Sequence, residues 1–172
     1  MNLNQLANQW HTYYAMLGGA TATLLGLLFV SLGLNIRRIH REENSHFLRL
    51  ARLTFSNYLM LFVLSMQMLA PIEGYFQILI SLSLISIMGL GWTVYLRNRN
   101  LDRDDPNTKF LRQSYRQTYV SYILILALCF IPENKAQVLL YFMITPVTLL
   151  TICSIKNSWG LLMMLRDQDD LK

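Results

Sequence analysis

The chain has 172 residues, of which 53% are hydrophobic and only 15% charged, whereas a soluble domain carries about 25% charged residues. The charges are bunched, with long uncharged gaps between them, which argues against an ordinary water-soluble domain and for a single integral membrane domain spanning 1–172. The net charge of +5 does not point to nucleic acid, because the basic residues flank apolar spans, where orientation and anionic-headgroup contact account for them.

In chain order, Leu3, Leu6, Trp10 and Tyr13 recur at helical spacing. They predict a short amphipathic helix in the membrane interface, with Trp10, Tyr13 and Tyr14 at headgroup level. The residues before Tyr14 include no Lys or Arg, so the positive region of a secretory signal is missing. A first span follows over 14–35, without a single charge. At 1.5 Å per residue, about twenty residues cross a hydrocarbon core of roughly 30 Å. Ala15, Gly19, Ala22, Gly26 and Gly33 fall within about 60° of one another on a helix. Such a face lets a second helix approach closely, which is how membrane helices associate where lipid supplies no hydrophobic force. Two readings stay open: packing inside one bundle, or a subunit contact.

The remaining spans are expected at 53–71, 75–96, 117–131 and 136–155. Cytosolic loops are expected at 36–52 and 97–116, and a cytosolic tail at 156–172. Spans two and three are joined by a very short turn around Glu73 and Gly74. Asp105 and Pro106 suit a helix start, which predicts a helix from about Pro106 to Ile131. Its apolar part is only about 20 Å long, so Tyr115, Tyr119 and Tyr122 are expected to carry it through the interface. Pro146 is expected to kink the fifth span, and the tail still carries a helical apolar pattern at Trp159, Leu162, Met163 and Leu165. With the first loop inside, of the 15 Lys and Arg only Lys135 lies outside. The positive-inside rule then puts the N-terminus outside and the C-terminus inside. The expected fold is an all-α, polytopic transmembrane helix bundle of five spans.

The segment Gly19-Ala20-Thr21-Ala22-Thr23-Leu24-Leu25-Gly26-Leu27-Leu28-Phe29-Val30, after a short aromatic helix, resembles the first span of a group of small bacterial multi-span membrane proteins. The resemblance covers roughly the first seventy residues. It implies an architecture and a bacterial cytoplasmic membrane, and no activity.

Several chemistries are not represented. No Asp, Glu, Lys, Arg or His falls within an expected span, which argues against proton-coupled transport. There is no phosphate-binding GxxxxGK[ST] or GxGxxG pattern. His40, Glu43 and His46 are too far apart around a helix to clamp one ion, and Asp102, Asp104 and Asp105 lack the glycine and the closing Glu of a calcium loop. No catalytic arrangement, metal site or cofactor is expected. Cys129 and Cys153 are expected at opposite membrane faces, beyond disulfide reach, as small packing residues.

The polar residues of the spans offer either interhelical hydrogen bonds or a hydrated lining: Asn57 and Gln67; Ser83, Ser86 and Thr93; Thr145, Thr148 and Thr151. The first functional expectation is a homo-oligomeric channel lined by Ser83, Ser86 and Thr93, with Leu90 as an apolar constriction and Glu73 and Glu133 at the outer mouth. The alternative is a non-conducting adaptor or regulatory subunit. It would act through basic cytosolic loops in which Arg37, Arg38, Arg41, Arg97, Arg99 and Arg103 meet anionic lipid headgroups or a protein partner.

Overall fold

The computed structural model describes residues 3–34, 45–70, 74–100 and 108–167. Among these the fold is all-helical: α1 (Leu3–Leu34), α2 (Ser45–Leu69), α3 (Tyr75–Asn100), α4 (Thr108–Leu128), one 3-10 turn (Glu133–Lys135) and α5 (Ala136–Asp167). Four stretches are long and apolar enough to cross a membrane: Trp10–Leu34, Phe47–Leu69, Tyr75–Asn98 and Gln137–Met163. They point to an integral membrane protein. Outward-facing Met16, Phe29, Phe76 and Phe130 are all more than two-thirds exposed, a surface suited to hydrocarbon rather than water.

Helix ends follow local chemistry. α2 stops where Ala70 precedes Pro71, because the ring of a proline disfavours helical geometry in the residue before it. The Ala70 amide still closes on the Met66 carbonyl at 3.1 Å. Past Leu128 the chain tightens: the amides of Cys129, Phe130 and Ile131 each bond the carbonyl three residues back, at 3.1–3.2 Å. Such tightening is common where an α-helix runs out. The Tyr75 hydroxyl donates to the Ile131 carbonyl, which ties the start of α3 to the end of α4.

α2, α3, α4 and α5 form a closed ring in which each helix packs on the next and α5 returns to α2. The core lies inside this ring, around Leu53, Tyr58, Leu61, Leu82, Tyr122 and Met143. At one point α3 and α4 almost touch: a Cβ placed on Gly89 would lie 2.5 Å from the Tyr122 ring. α1 sits outside the ring and packs chiefly on α2.

The structure differs from the sequence reading in two places. The expected interfacial helix is not separate, since residues 3–34 form one unbroken helix of 32 residues. Nothing in 3–14 breaks a helix: there is no Pro or Gly before Gly18. Next, α4 is not among the four stretches apolar enough to cross a membrane. Tyr115 and Tyr122 are buried inside the ring at 4% and 1% exposure, and Tyr119 is half-buried beside the Arg97 guanidinium. A helix that turns its polar residues inward reads as weakly hydrophobic even where its outer side is apolar. α5 continues to Asp167, so the tail continues the helix of the last apolar stretch as its apolar pattern predicts, with Pro146 inside it.

Candidate functional site

The small-residue face of α1 is not used inside the chain. Ala15, Gly19, Ala22, Gly26 and Gly33 are all exposed, and a Cβ built on Gly19, Gly26 or Gly33 meets nothing within 4 Å. The residues that meet α2 lie to one side of that face. Gly18 is buried, and a Cβ there would sit 3.1 Å from the Ser65 Cβ. Tyr14, Thr21 and Leu28 are buried on the same side. Of the two readings of the glycine repeat, packing within the chain is therefore not realised at these five positions.

The hydroxyls expected to line a path point elsewhere. Ser86 and Thr93 are 0% and 1% exposed. They lie one turn either side of Gly89, on the face of α3 that packs on Tyr122 of α4. Thr93 donates to the Gly89 carbonyl at 2.7 Å, and Ser83 donates to the Ile80 carbonyl at 2.9 Å. Leu90 is half-buried against the core. On α5, Thr148 donates to the carbonyls of Ile144 and Thr145, and Thr151 to that of Val147. Apart from the buried Ser86 hydroxyl, which has no partner among the described residues, these hydroxyls bond their own helices, not a neighbour.

A polar cluster that the sequence reading found only in part joins three helices inside the ring. Asn57 of α2 donates to Thr118 of α4 at 3.1 Å. Ser114 of α4 donates to the Asn157 side-chain oxygen of α5 at 2.7 Å. Asn157 donates to the Cys153 sulfur at 3.7 Å, and that thiol donates to the Ser114 carbonyl at 3.6 Å. One residue further along α2 and α5, the hydroxyls of Tyr58 and Ser158 share a hydrogen bond at 3.2 Å. Asn57, Ser114, Thr118, Cys153 and Asn157 are each at most 2% exposed. Buried polar groups in a membrane protein need partners, and here most of them bond one another, the Asn57 side-chain oxygen alone in the cluster having no partner among the described residues. The cluster has no charge and no open side, so it fixes helix register rather than offering a reactive group.

The accessible site is a groove on the lipid side. Between the C-terminal halves of α1 and α3, over the first half of α2, lies an open cavity of about 950 Å³. Phe29 and Leu32 of α1 form one wall, Met88 and Trp92 of α3 the other, and Phe55 and Leu59 of α2 the floor. Gly33 and Gly91 widen it. Among the described residues its one charged lining residue is Arg52. The sequence reading counted Arg52 only as a loop charge, although it stands at the start of an apolar run.

Arg97 is exposed, its guanidinium 5.4 Å from the Tyr119 ring centre, and Lys156 lies likewise over Phe110 at 5.3 Å. Arg37, Arg38, Arg41, Arg103 and Glu73 lie outside the described residues, as do His40, Glu43 and the acids Asp102, Asp104 and Asp105; of Arg99, Glu133 and His46 only the backbone is described. Both cysteines are free thiols. Among the described residues no cluster of His, Cys, Asp or Glu is placed to hold a metal. Comparison with known protein families, with curated proteins and with solved structures gives no match.

Proposed function

We propose that this protein is a non-conducting, non-catalytic membrane adaptor that docks through the small-residue face of α1 onto another transmembrane helix, a second copy of the chain being the partner. The observation that carries this reading is the emptiness of that face: five small residues on one side of the most peripheral helix, all exposed. Small residues in a membrane helix lower its helix propensity, so they are expected where a neighbouring backbone comes close. A face that meets itself across a two-fold axis is the commonest arrangement of small homo-oligomers.

The channel reading is less well supported, because the hydroxyls expected to line a path are turned into the ring or bonded to their own helices. In the adaptor reading α4 crosses the membrane as a fifth span. It packs along α3 and α5, both apolar enough to cross. The N-terminus is then outside and the C-terminus inside, with the basic loops facing anionic headgroups in a bacterial cytoplasmic membrane.

Photobleaching step counts on fluorescently tagged protein, diluted in a lipid bilayer, test the reading. Two-step bleaching for the wild type and one-step bleaching for Gly26→Leu are expected, with no current in planar bilayers. One-step bleaching of the wild type, or unitary currents, would overturn it.

A further inference from the structure

Arg52 stands about five residues inside the apolar stretch that begins at Phe47, roughly 7–8 Å along the axis of α2. A guanidinium at that depth is costly in hydrocarbon unless it reaches the interface or meets an anion. It is exposed, and among the described residues no carboxylate lines the groove it faces. Across the groove is Trp92, whose ring lies 5.8 Å from that of Tyr95. Tryptophan and tyrosine collect at headgroup level, so the Arg52–Trp92 end of the groove is its interfacial mouth. From there the groove runs past Phe55 and Leu59 to Met60, eight residues or about 12 Å further along α2. Beyond its mouth it presents apolar side chains, with Ser56 the one polar residue among those described.

A cavity with one cation at an interfacial mouth and an apolar channel behind it matches an amphiphile with an anionic head. At about 950 Å³ it lies at the upper end of the range of ligand sites, roughly 300–1,000 Å³. A docked apolar helix would fill the channel but leave Arg52 without an anion. We propose that this groove binds one anionic phospholipid of the surrounding bilayer, its phosphate on the Arg52 guanidinium and an acyl chain between Phe29 and Leu32 on one side and Met88 and Trp92 on the other. The lipid bridges α1 to α3, two helices held together chiefly through α2. The groove shares Gly33 with the docking face proposed above, but its test reads lipid at Trp92 and does not depend on the oligomeric state.

Trp92 is a built-in reporter. The chain has three tryptophans, and Trp10→Phe with Trp159→Phe leaves Trp92 alone. The protein is placed in phosphatidylcholine vesicles containing phosphatidylglycerol, with bromine on the acyl chains of one lipid or the other as quencher. Brominated phosphatidylglycerol is expected to associate about fivefold more strongly than brominated phosphatidylcholine, the effect of one basic side chain near an anionic surface. Arg52→Gln should bring the ratio to about one, and Arg52→Lys should keep most of it. Gly91→Phe fills the groove from a position where a Cβ meets nothing within 4 Å, so it should lower quenching by both lipids and abolish the preference without touching the charge. Equal quenching by the two lipids in the wild type would overturn the proposal. So would a preference that survives both Arg52→Gln and Gly91→Phe, or a Trp92 that neither lipid quenches.

Discussion

α1 is the more apolar of two neighbouring helices and the less buried. The apolar stretch of α1 has a mean hydropathy of 1.9 and is 17% buried, whereas that of α2 has 1.3 and is 61% buried. In water the order would be reversed, because apolar surface is what goes inside. In lipid the outside is as apolar as the core, so hydropathy no longer marks the interior. What marks it is polarity that needs a partner. Asn57 and Tyr58 turn α2 inward to Thr118 and Ser158, and Ser114 of α4 turns inward to Asn157. Among the described side chains of α1 Thr21 is the one buried polar residue, and its hydroxyl bonds carbonyls of its own helix.

The sharpest contrast lies between glycines that are packed and glycines that are open. Gly89→Leu drives a side chain into the Tyr122 ring, 2.5 Å from the new Cβ. Overpacking of that severity should cost about 3 kcal/mol or more, read by denaturant unfolding in mixed micelles. Gly91→Leu, two residues on and open, should shift the same transition by less than about 0.5 kcal/mol. Equal effects would mean that α3 is not held against α4 as described. On α1, Gly18→Leu should destabilise by about 2 kcal/mol, because the Ser65 Cβ is close to its own backbone and has little room to move.

Next in size comes the polar cluster. Asn157→Leu leaves Ser114 without its side-chain partner and should cost about 1–2 kcal/mol in the same assay. Stability unchanged in that variant would show that the cluster does not hold α4 to α5. The smallest effects belong to the outer side of α1. Gly26→Leu and Leu27→Ala should each change the unfolding of the isolated chain by less than about 0.5 kcal/mol, since Gly26 meets nothing and Leu27 is 61% exposed. A large loss for Gly26→Leu under conditions that keep copies apart would place a neighbour on that face within the chain.

The helical class and the positions of the apolar stretches are legible in the sequence, because long uncharged runs between charge clusters have few other solutions in lipid. α3 begins at the residue expected, Tyr75, and α5 begins at Ala136 as expected. The covered side of α1 is not legible. Gly18 and Gly19 are adjacent, and only the first meets α2. Spacing alone identifies a face that permits close approach and says nothing of which neighbour takes it. The polar cluster is legible only in part. Asn57 is recognisable as an interhelical donor, but its partner Thr118 is 61 residues away, and Asn157 reads as part of a tail. The groove is not legible at all, since it exists only once α1 and α3 flank α2.

The central claim is that the outer face of α1, and not the apolar surface at large, meets a second copy. Disulfide trapping in the native membrane tests it most directly. In a Cys129→Ala, Cys153→Ser background, a single cysteine is placed at Gly26 or, as a control on an equally open apolar surface, at Ile87 of α3, which is 59% exposed. Rapid oxidation should give a dimer band for position 26 and none for position 87. No dimer at position 26, or equal dimer at both positions, would contradict the account.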